Sequence, residues 1–350
     1  MERHMRRVVV LGGLGFFGRT AAGELRALGV DVQLASRRPG ADIRIDAEDP
    51  DSIRSQLIRG DIVLDAAGPF HARTSTLIDS ASEVGFDVVD LNDDVSYAET
   101  VLAREQQIAQ AGIRVLSSAS TVSAMSAAVL KMLDVEQPRR FTAFLAPATR
   151  RTANAGTAQS LLRTVGQPIR VLRSGALHTV TGWREQRTFA PNASHKLHKL
   201  LPIHGHVFES ADAIWLPRAC PSLQDVAMYV DANIPAANAI LCLAARSTAV
   251  RSLLKRSIGV GAAVARRLGS SVGGVAYQVE AHDGRIATFA LFAEEKSYLL
   301  AVAPAVLAVK KLVNDQISDR GVLAPGQYTD AAEILEFLRA ASVKFTTESD

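Results

Sequence analysis

Through the first 130 residues, short apolar runs alternate with segments of helical periodicity. RRVVVLGG is β-branched and apolar on both faces, the pattern of a strand buried in a parallel sheet. RTAAGELRALG follows with Ala21, Leu25 and Leu28 on one helical side, and VDVQLAS and the short IRID read as further strands. DPDSIRSQLI opens like a helix, with Asp49 as its cap and Pro50 at its first position. DIVLDAAG is an apolar strand stopped at Gly68-Pro69. TSTLIDSASEVG, FDVVDL, VLAREQQIAQAG and IRVLSSA continue the alternation as helix, strand, helix and strand. Strand and helix in turn predict an α/β fold, a Rossmann-type doubly wound parallel sheet over residues 1–139. In such a sheet ligands sit beyond the carboxyl ends of the strands.

From about Arg140 the pattern changes. RFTAFLAPAT reads as a strand, GTAQSLLRTVG as a helix, and IRVLRSGALHTVTGW as a hairpin turning at Ser174-Gly175. GVAYQVEAHDGRIATFALFAEE reads as a longer hairpin turning at His282-Asp283-Gly284. Residues 140–296 are therefore expected to form an α+β domain with an antiparallel sheet, a platform for substrate and for dimerisation. YLLAVAPAVLAVKKLVND predicts one long amphipathic helix, so that 297–350 return to the first domain as C-terminal helices, with TTESD frayed at the end.

Gly13-Leu14-Gly15-Phe16-Phe17-Gly18 fits G-x-G-x-x-G between a strand and a helix. Gly13 is expected to make the tight turn, Gly15 to admit a pyrophosphate, and Gly18 to let the helix pack on the strand. The helix N-terminus then offers N–H groups and the positive end of its dipole to phosphate. A bend with no ligand is the alternative, and the strand–turn–helix context favours a dinucleotide site. The second strand ends in LASRRPG, with Ser36, Arg37 and Arg38 where an acid would otherwise meet the ribose hydroxyls. Guanidinium groups suit a 2′-phosphate, which favours NADP(H). Two solvated surface arginines are the alternative.

The glycine turn with its two phenylalanines, the strand ending Ala67-Gly68-Pro69-Phe70, and FDVVDLNDD together resemble the saccharopine dehydrogenase-like (saccharopine reductase-like) oxidoreductases. The likeness continues weakly through GTAQSLL and DRGVLAPGQYTDAAEILEFL. It implies a Rossmann domain, a sheet-containing second domain, and reduction of an imine formed from an amino acid and a carbonyl compound. It also implies that Ala67, Gly68, Pro69 and Phe70 lie near the nicotinamide and its ribose, although Phe70 alone reads equally as a core residue. Asp46 is expected near the adenine. Hydride transfer needs an acid beside the nicotinamide, and His71, Asp93 and Tyr97 are the candidates. Asp93 has the alternative role of capping the helix near Ser96, Tyr97 that of packing, and His71 that of a solvent-facing loop residue.

Composition narrows the remaining choices. Thirty-nine Lys and Arg against 36 Asp and Glu leave a net +3, too mild to argue for nucleic acid or an anionic membrane. The two cysteines, Cys220 and Cys242, show no paired spacing, which fits a reducing cytosol. The basic N-terminus before VVVLGG lacks a cleavage site, and the apolar stretch ANAILCLAA is shorter than the ~20 residues a spanning helix needs. Four of the eight histidines fall in HKLHKLLPIHGH: His195, His198, His204 and His206. Lys196, Lys199 and Pro202 in the same stretch disfavour a metal, and a basic loop near the substrate or plain surface are the other readings. The expectation is a cytoplasmic, homodimeric, NADPH-dependent oxidoreductase that binds no metal and acts on a small imine, carbonyl or amino-acid-derived compound. An enoyl (C=C) reductase and a non-catalytic NADP-binding sensor or scaffold are its rivals.

Overall fold

The computed structural model describes residues 6–190 and 202–349. The chain divides into two compact units, Met1–Ala128 with Leu299–Ala341, and Val129–Tyr298 with Ser342–Asp350. The first unit opens with β1 (Val8–Leu11), α1 (Phe16–Ala27), β2 (Val32–Ser36), β3 (Ile43–Arg44), α2 (Pro50–Gln56) and β4 (Ile62–Asp65). It continues with α3 (Thr76–Val84), β5 (Asp87–Asp90), α4 (Val95–Leu102), α5 (Glu105–Ala111) and β6 (Arg114–Leu116), and α6 (Ala124–Leu133) begins in it and ends in the second unit. All six strands run parallel in the order β3-β2-β1-β4-β5-β6. The winding direction reverses between β1 and β4, which opens a crevice at their carboxyl ends. Every residue of β1, β4 and β5 is buried, as their continuous apolar runs require. One face of the sheet, with Val9, Val63, Val88 and Val115, packs on Ile53, Leu77, Ile78, Phe86, Tyr97 and Ile108. Asp49 caps α2 by accepting from Asp51 N at 3.0 Å, with Pro50 in the first turn as read from the sequence.

The second unit contains β7 (Pro138–Ala146), α7 (Thr149–Thr152), α8 (Ala155–Thr164), β8 (Pro168–Arg173), β9 (Ala176–Thr181) and β10 (Gln186–Phe189). Then come β11 (Ile203–Phe208), α9 (Asp212–Ala219), β12 (Asp225–Val230), α10 (Ala237–Arg246), α11 (Thr248–Arg256) and α12 (Ile258–Leu268). The hairpin strands β13 (Gly273–Ala281) and β14 (Ile286–Ala293) close this run. Both expected hairpins are present; Ser174 and Gly175 turn β8 into β9 with φ of 48° and 78°. The sheet is mixed rather than purely antiparallel, because β12 lies parallel to β7.

The last fifty residues differ from expectation. A 3₁₀ turn at Ser297–Ala301 precedes α13 (Ala303–Val313), so the single long helix is shortened. Pro304 explains the break: lacking an N–H, it sits in the first turn of a helix and not in its interior. The helix is also buried nearly all round, from Ala303 through Leu312, instead of amphipathic. β15 (Gly321–Leu323) adds a seventh parallel strand beside β6, followed by α14 (Ala331–Ala340). β16 (Phe345–Ser349) is not frayed; it pairs antiparallel with β14 in the second unit. Among the described residues no helix is long and apolar enough to cross a membrane.

Candidate functional site

The crevice in the first unit is built from the turn after β1. Gly12, not Gly13, makes the tight bend: its φ is +69°, and a Cβ there would lie 2.7 Å from the Ala66 carbonyl oxygen. Gly13 is required for packing, since its Cβ would fall 2.9 Å from Leu34 Cβ of β2. Gly15 N donates to Gly12 O at 2.7 Å, and a Cβ on Gly18 would overlap that same carbonyl. Gly12, Gly15 and Gly18 thus close the turn on one another while Gly13 packs on β2, and Gly12 is the residue outside the G-x-G-x-x-G pattern. Gly15 forms the N-cap of α1 with no side-chain cap, and no acidic residue stands in the first turn. A helix start so left is suited to anionic oxygens. Leu14 and Phe17 are half-buried, and Phe16 and Phe17 meet edge-to-face at 5.2 Å.

At the end of β2, Ser36 Oγ accepts from Arg38 N at 3.1 Å. Arg37 Nη1 lies 3.9 Å from Asp46 Oδ2 with its side chain 74% exposed, an ion pair worth little in water. Arg38 is exposed and has no ion pair with a described residue. Asp46 is occupied locally, its N–H bonded to Ser52 Oγ and its carboxylate to Glu48 N. β3 brings Arg44 into register with Ser36, a third exposed cation that the short IRID strand disguised.

At the end of β4, Ala67 N donates to Asp65 Oδ1 at 2.9 Å. Gly68 is exposed, the Gly68-Pro69 peptide is cis, and Phe70–Ala72 form one 3₁₀ turn. Phe70 is 7% exposed and packs on the Tyr97 ring at 5.2 Å. Arg73, which sequence reasoning did not single out, ties the segment down. It donates to Ala67 O at 2.9 Å, pairs with Asp65 at 3.0 Å, and binds Glu48. Burial works to lower its pKa, but Asp65 and Glu48 outweigh that and raise it, so the guanidinium stays charged. The clue in the sequence is an aspartate ending an otherwise apolar strand.

β5 ends in the same way, and Asp65 and Asp90 are register partners on adjacent strands. Asp90 Oδ1 accepts from Ser118 N at 2.7 Å, Asn92 N at 3.0 Å and Ser117 Oγ at 3.2 Å. Burial nevertheless pushes its pKa up to about 7, against those hydrogen bonds and with help from the Asp65 charge. Asp90 Oδ2, Tyr97 OH and Arg73 Nη2 are buried without a hydrogen-bond partner among the described residues.

The three proton-donor candidates separate by access. Tyr97 is 1% exposed, and burial together with the Asp90 and Asp65 charges raises its pKa well above the ordinary phenol value. Asp93 is exposed on the loop after β5. It does not cap α4: Asp94 does, accepting from Ser96 N at 2.9 Å and Tyr97 N at 3.1 Å. His71 is half-buried on the 3₁₀ turn beside Phe70. In the second unit, His206 stacks on Trp183 at 5.0 Å and His204 bonds Thr188 Oγ1 at 3.1 Å, while His195 and His198 lie outside the described residues. Among the described residues no group of three or more His, Cys, Asp or Glu side chains is placed to hold a metal ion.

The strand order, the glycine turn and the second mixed sheet define a Rossmann-type fold of the kind found in two-unit dehydrogenases. The chain has the saccharopine dehydrogenase fold. It superposes on apo saccharopine dehydrogenase (L-Glu forming) from Saccharomyces cerevisiae with a TM-score of 0.57 and 14% identity, over 99% of this chain and 100% of that one. GenD2 from gentamicin A biosynthesis, in complex with NAD, is 14% identical over 99% and 98% of the two chains at a TM-score of 0.44. A dehydrogenase from Chromobacterium violaceum is 10% identical over 96% and 93% at 0.40. No protein-family model matches the chain, and no curated protein matches its sequence.

Proposed function

We propose that this chain is an NADP(H)-dependent oxidoreductase acting on a small imine, carbonyl or amino-acid-derived compound. The observation that carries the reading is the uncapped start of α1 on a turn of close-packed glycines, with exposed Arg37 and Arg38 at the next strand end. The diphosphate would rest on the α1 N-terminus at Gly12 to Gly18, including Leu14, Phe16 and Phe17. The 2′-phosphate would be held by Ser36, Arg37 and Arg38, with Asp46 near the adenine. Ala67, Gly68, Pro69 and the edge of Phe70 would border the nicotinamide, on a segment that Arg73 fastens through Ala67 O. When bound, the dihydronicotinamide supplies a hydride. The chain's own part is to orient that ring, and to deliver a proton from His71 or Asp93, the two accessible candidates.

Calorimetric titration with NADPH and NADH tests the reading. NADPH should bind at least ~10-fold more tightly, the scale of a charge-assisted contact. Arg37→Ala with Arg38→Ala should remove that preference and leave NADH unchanged. Equal affinity for both nucleotides refutes the 2′-phosphate assignment, and no heat with either refutes the site. NADPH consumption on amino acid plus oxoacid mixtures, and not on enoyl thioesters, is the expected substrate result.

A further inference from the structure

The chain's net charge of +3 conceals an uneven distribution. Residues 232–279 contain Arg246, Arg251, Lys255, Arg256, Arg266 and Arg267 and no aspartate or glutamate, so the rest of the chain is net negative. This acid-free stretch includes the three consecutive helices α10, α11 and α12. Their inward faces are accounted for. Leu241, Ala244 and Ala245 join a core with Trp183, Leu162 and Val165, and Val250, Leu254 and Ile258 pack against it. The remaining faces carry large aliphatic side chains in water: Ile240 48% exposed, Leu243 55%, Leu253 65%, Val260 67%, Val264 44% and Leu268 62%. On α12 the last three stand at i, i+4 and i+8, a single stripe. Arg246, Lys255, Arg256, Arg266 and Arg267 are exposed on the same three helices, and none forms an ion pair with a described residue. Arg246 donates to Cys242 O on its own helix, Arg266 to Ala153 O on the far side of α12 from the stripe, and the half-buried Arg251 to the Val165 and Gly166 carbonyls.

We propose that the face formed by α10, α11 and α12 docks on an anionic lipid surface. Aliphatic side chains interleaved with lysine and arginine, on helices too short to span, match the acyl–headgroup boundary of such a bilayer. A second copy of this chain fits the face poorly, because a two-fold contact sets the same cations against each other. Nucleic acid would engage the cations but leave the six aliphatic side chains without a role.

Co-sedimentation of the full chain with vesicles tests the proposal, using phosphatidylcholine alone and phosphatidylcholine containing about a third phosphatidylglycerol, in ~0.1 M salt. Binding is expected only to the anionic vesicles and should weaken as salt rises. Each exposed cation contributes roughly fivefold. Lys255→Glu, Arg256→Glu, Arg266→Glu and Arg267→Glu together should therefore weaken binding by at least several hundredfold. Leu253→Ser, Val264→Ser and Leu268→Ser together should weaken it with no change in net charge; circular dichroism melts establish that both variants fold. The proposal is overturned by equal binding to the two vesicle types, or by anionic binding that survives the charge variant. It is equally overturned if neither vesicle type is bound, and an aliphatic variant that dissolves a dimer seen by sedimentation velocity would then assign the face to a second copy. Duplex DNA binding without vesicle binding would likewise reassign the face.

Discussion

Replacing Asp90 by asparagine isolates the cost of a charge inside the first unit. Asp90 is fully buried, and its carboxyl is displaced from the ordinary 3.8 to about 7. At 1.36 kcal/mol per pH unit, ionising it in the fold costs ~4 kcal/mol more than in the unfolded chain. Between about pH 4 and about pH 7 the folded chain keeps a proton that the unfolded chain has released, so stability falls as pH rises through that window and levels off above it. Roughly 2–3 kcal/mol of the fall lies between pH 5 and pH 8. Asparagine retains the acceptor that serves Ser118 N, Asn92 N and Ser117 Oγ. Its amide nitrogen would replace Oδ2, which has no hydrogen-bond partner among the described residues, and burying that donor costs ~1–3 kcal/mol at every pH. Asp90→Asn should therefore be neutral or destabilising at pH 5 and gain ~2–3 kcal/mol relative to the native chain by pH 8. Urea unfolding of both proteins at the two pH values measures the swing, and the ¹³C shift of the Asp90 carboxyl reports its titration directly. A difference that stays constant from pH 5 to pH 8, or a carboxyl titrating near 4, would refute the argument that burial dominates this site.

Two further substitutions probe the same region. Gly12→Ala should lower stability by at least ~1–2 kcal/mol from its left-handed backbone alone, and more from the approach to Ala66 O; thermal melts and nucleotide titration should both register it, and an unchanged melt would contradict the geometry. Arg73→Ala leaves Asp65 buried without its partner and frees the Ala67 segment, so a loss of ~3–5 kcal/mol is expected in urea unfolding; Asp65→Asn in the same chain should recover part of it, and no recovery would argue that Arg73 acts by packing alone.

What the sequence revealed is what local pattern determines. The apolar runs of β1, β4 and β5 could only be strands buried on both faces, and Asp49 with Pro50 marked a helix start without ambiguity. Features set by distant neighbours were harder to read. Which glycine of the turn takes a positive φ depends on the Ala66 carbonyl, more than fifty residues away. Whether Asp93 or Asp94 caps α4 depends on Asn92, whose side chain bonds Asp94 N and Asp94 O and is itself tied to Ser118 Oγ, 26 residues on. β15 and β16 are three and five residues long and are strands because β6 and β14 offer them an edge. Arg73 looked like any loop cation until Asp65, Glu48 and Ala67 O were seen around it. SLLKRSIGVGAAVARRLG reads as helical, and α11 and α12 form there, but its lack of acids is hidden in a charge total, which averages over position.

The path of the chain has a consequence for how the molecule is made. The polypeptide crosses between the two units three times, after residues 128, 298 and 341. On the ribosome the first unit begins earliest yet cannot be completed until β15 and α14 have emerged. Throughout that interval the outer edge of β6 lacks the strand that will cover it, and neither unit can be excised by a single cut.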